Sequence, residues 1–505
     1  MRYLFLFATV IWALIGSLAH ADGESLRPTY GGSIYPIWSE LSYFENDTLA
    51  AKSRAEQNDP KALLAFYVMA SGARNLTDYE NTQRRVSAFV EGAQQQFGGD
   101  QDPWRRADAL HQAMHSEFFV SPGERHGGNG YDADQSQLTG IFANGQFNCI
   151  SASLLYVVLA REFKFGAQGV LLPSHAFVEL ALPDGRSAEV ETTNPQGFGT
   201  VHNQAFYEKA AAWFKERGLR ASTIEDYRNR KKVSPLALGA MNMLNQHTRK
   251  ERMSFADAAR LAEISAYLDP SNALAQEKRL HFYLQEVDNL SQANAWPDLQ
   301  RLYNTVLFDV RQTSDQFPEH QAIQNSNVWL HLSALYTYGH LANSTGMISL
   351  MKIINRLPLN AAQQQKAQDA FASSSALLLQ QLGEKQQFEE GLVFISEAEP
   401  YLTQNAAWPA NVTLFYNLWA GARWQHQDWP GVVDVLDEYF AQPYQEARDT
   451  TTLKNLRGAY RNWVVNYLEL KDTAAAKTVL ESCQQKFPEL KACEGAADAL
   501  KAGRN

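Results

Sequence analysis

The stretch that decides the fold runs from Gly145 to Ser153 and reads GQFNCISAS. It places one cysteine, Cys149, directly before a segment, Ile150 to Phe163, that is apolar on nearly all sides. A segment of this kind is predicted to be a buried helix. A thiol in the first turn of a helix faces unpaired backbone N–H groups and the positive end of the helix dipole, and both favour the thiolate. The pattern therefore indicates a candidate nucleophile.

A histidine and a carboxylate follow this cysteine along the chain. His175 lies in PSHAFVE, and Glu191 lies in AEVETTNP. A thiol, an imidazole and a carboxylate together are the groups that a thiolate nucleophile needs. Small residues at 151–153 leave room for a substrate beside Cys149. The backbone N–H of Cys149 and the side chain of Gln146 are candidate donors to an oxyanion.

The segment after the helix is predicted to form strands at 169–172, 175–182 and 186–192. Gly166 is expected to end the helix. The turn Pro183-Asp184-Gly185 is expected to join the last two strands as a hairpin.

The register of that hairpin decides whether the histidine and the carboxylate meet. A three-residue loop sets Val178 opposite Val190, Leu180 opposite Ala188, and Phe177 opposite Glu191. His175 and Glu191 then share one sheet face, whereas a two-residue loop would put them on opposite faces. The same register sets Glu179 opposite Glu189, and this pair of like charges requires a cation or solvent.

Taken together, these motifs resemble the transglutaminase-like superfamily. NCISASLLY, HAFVE and VETTNP are similar to the family's helix-borne cysteine, strand-opening histidine and following Asp-Pro-Thr. The resemblance covers roughly residues 100 to 200. It implies an α+β papain-like core with Cys149 as nucleophile, His175 as general base and acid, and Glu191 as orienting carboxylate. Glu191 stands where the family has aspartate, and Phe177 stands where it often has tryptophan.

The resemblance also leaves a second function open. The superfamily includes inactive binding modules, so a catalytically silent domain is the alternative to an enzyme. Residues Tyr131 and Ser136 to Leu138, with helical repeats behind them, resemble a bacterial subgroup that pairs this core with tetratricopeptide units.

From about residue 234 the chain is predicted to be almost entirely helical. The segment from Gly458 to Pro488 resembles a tetratricopeptide repeat, with two helices joined near residues 470–472. Weaker units are expected around 384–386 and 427–429, and an irregular helical bundle is the alternative. Cys483 and Cys493 are expected to form a disulfide or to remain two buried thiols.

The N-terminus predicts export. Residues 1–21 combine a basic start, an apolar run and an Ala-His-Ala site, which is typical of a cleaved signal peptide. A membrane anchor is the alternative, although the run is short for a span. We therefore expect an exported protein, periplasmic or secreted, without a stable membrane span. The excess of 55 acidic over 45 basic residues argues against a nucleic-acid partner.

The predicted organisation is a signal peptide at 1–21, a leader with helices at 22–100, the transglutaminase-like core at 101–233 and the helical-repeat domain at 234–505. We expect a thiol enzyme that hydrolyses, deamidates or transfers acyl groups at amide bonds of a protein or peptide, without a metal or organic cofactor. The repeats would offer a surface to a protein partner.

Two further features have weaker interpretations. The glycine-rich loop at 121–130 is a candidate lid over the cysteine helix. His111 and His115 lie four apart on a predicted helix and could share a metal, but no glutamate stands between them as a metalloprotease motif requires. A solvated helix face is the expectation for these two histidines.

Overall fold

The computed structural model describes residues 41–57, 59–120, 133–216, 220–246, 253–442, 450–488 and 491–503. The chain divides into two compact units, Met1–Phe282 and Tyr283–Asn505. The predicted signal peptide and the candidate lid at 121–130 lie outside the described residues.

The first unit combines helices with one small sheet. Its helices are α1 (Tyr43–Ala50), α2 (Lys52–Glu56), α3 (Pro60–Ala70), α4 (Leu76–Phe97), α5 (Pro103–Phe118), α6 (Leu138–Asn144), α7 (Cys149–Glu162), α8 (Gln204–Glu216), α9 (Ile224–Arg228), α10 (Pro235–Gln246) and α11 (Phe255–Leu268). The strands are β1 (Gly166–Leu172), β2 (His175–Ala181), β3 (Ser187–Val190) and β4 (Lys231–Val233). The sheet order is β3-β2-β1-β4, and neighbouring strands are antiparallel. A 3₁₀ turn, Ala133–Ser136, precedes α6.

Helix α7 lies in the core, as its apolar sequence predicted, with residues 150–160 all buried. The prediction that Gly166 ends the helix is wrong, because Lys164 takes the left-handed conformation with φ 62°. The N–H of Phe165 then bonds to the carbonyl of Ala160 at 2.9 Å, which closes a Schellman turn. Phe165 is buried, so its packing fixes this turn and Gly166 is left to open β1.

The register between β2 and β3 is the predicted one. Val178 pairs with Val190 and Leu180 with Ala188, and all four side chains are buried. The N–H of Leu182 donates to the carbonyl of Arg186 at 2.8 Å across the three-residue turn. His175 and Glu191 therefore face the same side of the sheet.

The pair of like charges in this register has the cations that it requires. Glu179 lies opposite Glu189. Lys232 of β4 forms an ion pair with Glu179, and Arg230 forms one with Glu189. The fourth strand, which the sequence did not predict, and the residue before it therefore bring the compensating charges.

The first unit extends beyond residue 234, where the second domain was expected to begin, and ends at Phe282. The physical reason lies in α10, which contacts α3, α7 and β1. Its residues Leu236, Leu238 and Met243 join the same buried cluster as the side chains of α7. Helix α10 therefore belongs to the core that surrounds the cysteine helix.

The remaining described chain is helical. Helix α12 (Ala273–Gln292) contains the boundary between the two units. It is followed by α13 (Trp296–Gln316), α14 (Gln321–His340), α15 (Ser344–Ile354), α16 (Ala361–Glu384), α17 (Phe388–Leu402), α18 (Trp408–Gln425), α19 (Trp429–Phe440), α20 (Thr450–Glu469), α21 (Thr473–Lys486) and α22 (Glu494–Ala502).

Within the described part of this region, five consecutive helix pairs are joined by the same short turn. In each turn a non-glycine residue has a left-handed φ of 53° to 60°: Asn294, Ala342, Gln386, Gln427 and Lys471. The next residue donates its N–H to the carbonyl five positions back at 2.8–3.1 Å, which is the Schellman arrangement. The turns predicted at 384–386, 427–429 and 470–472 are confirmed among them.

A disulfide joins Cys483 in α21 to Cys493, the residue that precedes α22, with Cα atoms 5.8 Å apart. Across the described ranges no single helix has the length and apolar character to cross a membrane. Helices α6 and α7 taken together are long and apolar enough, but the chain bends by 91° between them. Since α7 is buried in the first core, this pair is explained by packing.

Candidate active site

Cys149 is the first residue of α7 and is half-buried, whereas residues 150–160 behind it are all buried. The Asn148 side-chain oxygen caps the helix and accepts from the N–H groups of Ile150 and Ser151 at 3.1 and 3.2 Å. Its amide nitrogen donates to Ser136 Oγ at 2.7 Å, which anchors the helix start to the preceding turn. The cap does not engage the N–H of Cys149, so this group is available as an oxyanion donor.

His175 opens β2 and lies beside both of the other predicted residues. Its Nε2 is 2.6 Å from Glu191 Oε2, and the interaction of its ring with the side chain of Cys149 is one of the causes that raise its pKa. Because Glu191 engages Nε2, Nδ1 is the nitrogen left for the thiol. The preceding residue, Ser174, is bonded to Ser222 by contacts of 2.7–3.0 Å that fix the start of the strand.

Glu191 lies directly after β3 and is only 3% exposed. Its Oε1 accepts from the N–H and the hydroxyl of Thr193 at 3.1 and 2.5 Å. Its own N–H donates to the carbonyl of Gly197 at 3.0 Å, and a Cβ at Gly197 would lie 2.1 Å from the Glu191 carbonyl oxygen. Only glycine fits this close turn. Thr192 is bonded to Ser153 of α7 at 3.0 Å, which ties the carboxylate segment to the cysteine helix.

The histidine and the carboxylate favour each other's charged forms. Burial alone would lower the pKa of His175, but the charge of Glu191 and hydrogen bonds with Cys149 and Glu191 outweigh it and raise that pKa to about 10. Burial alone would raise the pKa of Glu191, but His175, with the neighbouring His202 and hydrogen bonds from Thr193, holds it well below its usual range. The site therefore presents an imidazolium–carboxylate pair to the thiol.

Sequence reasoning missed a second histidine, His202, on the other side of Glu191. Its Nε2 lies 3.3 Å from the same Oε2 atom, and its Nδ1 is hydrogen-bonded to the hydroxyl of Tyr207 at 2.8 Å. The ring is 4% exposed and stacks on Phe206 with centroids 4.3 Å apart. Because His202 lies in a segment without regular structure, no periodicity in the sequence points it towards His175.

Among the described residues, His175, Glu191 and His202 form the one group that could hold a metal ion, with ligand atoms within 4.8 Å of one another. Nitrogen and oxygen ligands about 2.0–2.1 Å from a tetrahedral zinc ion lie about 3.3 Å apart. The distance of 2.6 Å between His175 and Glu191 is shorter than that and is typical of a hydrogen bond. The geometry therefore fits a shared proton better than a metal.

Gln146, the predicted oxyanion donor, is buried just before α7. Its side-chain oxygen accepts from the amide of Gln135 at 3.1 Å, which orients the carboxamide, and its backbone N–H donates to the side chain of Asn144. The role of Gln146 towards a substrate stays a prediction.

The expectation that His111 and His115 lie on a solvated helix face is wrong. Helix α5 packs against α7, and His111 is fully buried beside Tyr156 with ring centroids 5.5 Å apart. Burial lowers the pKa of His111 to about 4, so its ring is neutral. The rings of His111 and His115 meet edge to face at 4.8 Å, which is an aromatic packing contact.

Comparison with known proteins supports the family resemblance of this region. Residues 80–224 match the family model of the transglutaminase-like superfamily. No curated protein matches the chain.

Solved structures that match the chain include the following two. The crystal structure of menin, described as revealing the binding site for Mixed Lineage Leukemia (MLL) protein, has a TM-score of 0.32 and 11% identity, and the match covers 84% of this chain and 97% of that one. BtubC (BKLC) from P. vanneervenii has a TM-score of 0.20 and 13% identity, with 50% and 88% covered. TM-scores this low carry no conclusion about fold or function. Residues 80–224 thus form a transglutaminase-like superfamily domain, and the rest of the chain is largely helical.

Proposed function

We propose that this chain is an exported thiol enzyme that acts on amide bonds through Cys149. The observation that supports this most is the position of His175, which interacts with Cys149 and lies 2.6 Å from the buried carboxylate of Glu191. The transglutaminase-like match at 80–224 contains all three residues and agrees with this function.

Acylation follows from this geometry. The thiolate of Cys149 attacks the carbonyl carbon of the amide, a C–S bond forms, and the carbonyl oxygen takes the negative charge. The N–H of Cys149 and the positive end of the α7 dipole stabilise that oxyanion. The imidazolium of His175 gives its proton to the amide nitrogen, the C–N bond breaks, and ammonia or an amine leaves a thioester on the sulfur.

Deacylation reverses the proton transfers. Neutral His175 takes a proton from water or from an acceptor amine, and that nucleophile attacks the thioester carbonyl. The C–S bond breaks to give an acid or a new amide, and the thiolate–imidazolium pair is restored. Throughout, the carboxylate of Glu191 stabilises the charged ring and fixes which nitrogen faces the sulfur.

The substrate class that we propose is a protein or peptide side chain or segment. Cys149 is half-buried at the end of a buried helix, so a substrate group has to reach it from the surface. We also infer that the helix pairs from α12 to α21 are degenerate tetratricopeptide-like repeats that offer a surface to a protein partner. The recurrence of one turn geometry at five consecutive helix pairs supports this interpretation.

The experiment that tests the enzyme function is the rate of alkylation of Cys149 by iodoacetamide as a function of pH. In the wild-type protein we expect rapid reaction at pH 6, well below the pH of about 8.5 at which an ordinary thiol ionises. His175→Ala is expected to remove this reactivity, because the thiolate loses its cation.

The matched control is His426→Ala, which removes an exposed histidine at the end of α18 and is expected to leave the profile unchanged. Cys149→Ala gives the background, since the other two cysteines form the disulfide. A wild-type thiol that reacts only in alkaline solution and does not depend on His175 would contradict the enzyme function. That result would favour the silent domain with a binding role instead.

A further inference from the structure

The carboxylate of Glu191 lies between two imidazole rings, and the mechanism above uses only one of them. Its Oε2 atom is 2.6 Å from His175 Nε2 and 3.3 Å from His202 Nε2. Its Oε1 atom is held separately by Thr193. Both oxygens are therefore engaged, and the position of Oε2 depends on the two histidines together.

Tyr207 contacts the other ring nitrogen of His202. Its hydroxyl lies 2.8 Å from His202 Nδ1. Burial, with the neighbouring Tyr227 and Glu191, raises the pKa of Tyr207, so the phenol stays protonated. We infer that this phenol donates to Nδ1, which requires a ring proton on Nε2, the nitrogen that lies 3.3 Å from Glu191.

The surroundings of His202 hold its ring in this orientation. It stacks on Phe206 at an interplanar angle of 10° and contacts Phe177 at 4.8 Å and Tyr227 at 5.2 Å between centroids. Within the described residues, its buried Nε2 atom has no hydrogen-bond partner of good geometry. The Glu191 oxygen at 3.3 Å is thus the acceptor that this nitrogen faces.

From this arrangement we propose that His202 is a positioning residue that holds the Glu191 carboxylate against His175. An N–H donor on the far side fixes the position of the carboxylate, and its negative charge then acts on the imidazolium of His175. The contact through which His202 would act is with Glu191. This inference rests on the proposed function of the same site.

Two substitutions at His202 separate positioning from packing. His202→Gln keeps an N–H donor at about the distance of Nε2, whereas His202→Phe keeps an aromatic ring on Phe206 and loses the donor. Each variant is alkylated at Cys149 across the same pH range as the wild-type protein, and its melting temperature is recorded. We expect the Phe variant to react about tenfold more slowly at pH 6. This factor corresponds to the low end of the free energy that a hydrogen bond to a charged group contributes. The Gln variant is expected to stay within about threefold of wild type.

Equal rates in the Phe variant and the wild type would overturn the inference, and so would equal losses in the Phe and Gln variants. If the Phe variant does not fold, Tyr207→Phe replaces it in the comparison, because this change leaves the His202 ring and removes only the donor to Nδ1. A loss of about threefold at pH 6 is then expected, and an unchanged rate would overturn the inference. Absence of reactivity at pH 6 in the wild-type protein would instead refute the proposed function, and this inference with it.

Discussion

Replacing Glu191 by glutamine removes one charge from the site and changes little else. The side chain keeps its length, and its oxygen can still accept from Thr193 as the carboxylate does. What changes is the partner of His175 Nε2, which becomes a neutral amide at a distance of 2.6 Å. The imidazolium therefore loses the group that raises its pKa.

The size of the effect follows from the distance and the burial of the pair. Two unit charges 2.6 Å apart attract by about 6 kcal/mol at an effective dielectric constant of about 20, which is the upper limit. A hydrogen bond to a charged group contributes about 1.5–3 kcal/mol and a neutral one about 0.5–1.5 kcal/mol. We therefore expect a net loss of about 2 kcal/mol, or about thirtyfold in the population of the thiolate–imidazolium pair.

The assay is the rate of alkylation of Cys149 at pH 6, where an unpaired thiol is almost entirely protonated. Glu191→Gln should react about thirtyfold more slowly than wild type, and Glu191→Asp, which keeps the charge on a shorter side chain, should fall between them. The matched control is Glu179→Gln, which removes a carboxylate from β2, one that pairs with Lys232. A Glu191→Gln rate within twofold of wild type, in a variant that melts normally, would refute the reasoning.

Two further predictions concern stability. Arg230→Met leaves the partly buried Glu189 facing Glu179 without its cation. It should lower the free energy of unfolding by about 1–3 kcal/mol in chemical denaturation. A second change, Glu189→Gln, should restore most of the lost stability, and no restoration would argue against the charge explanation. The pair of His175 and Glu191 should stabilise the fold fully between about pH 4.5 and 6.5, the unperturbed values of its two groups. This contribution is lost as the pH falls through the lowered pKa of Glu191 and as it rises through the raised pKa of His175. The melting temperature of wild type minus that of Glu191→Gln should therefore be largest in that window, and a difference that does not vary with pH would contradict it.

Local sequence signals were sufficient for the part of the fold that aligns the candidate site. The turn Pro183-Asp184-Gly185 and the alternation of apolar residues around it predicted the register of β2 and β3, which the structure confirms. Both signals act within one hairpin, where loop length and burial of one face determine the pairing. The burial of α7 was predictable for the same reason, since its composition leaves no polar face.

The features that the sequence did not reveal depend on distant contacts. His202 meets Glu191 only because the chain after β3 folds back over the sheet face, and strand β4 joins β1 only after two intervening helices. His111 is different, because it lies on one stripe with Ala107, Met114 and Phe118, which are all buried. That helical spacing was present in the sequence and predicts a buried position.

The end of α7 shows a limit of another kind. The presence of a glycine shortly after the helix favoured Gly166 as the terminating residue, but Lys164 adopts the left-handed φ. The choice is made by Phe165, whose side chain enters the core. Packing of this residue outweighs the modest cost of a left-handed lysine, and propensity alone does not predict that balance.

The central claim is that Cys149 is held as a thiolate by His175. The most direct measurement is the ultraviolet absorbance of the thiolate as a function of pH, taken as the difference between the wild-type protein and Cys149→Ala, and repeated in the His175→Ala background. The account predicts a thiolate in the wild-type protein at pH 6 that disappears in the absence of His175. A single ionisation near pH 8.5, the ordinary value for a thiol, in both backgrounds would contradict it.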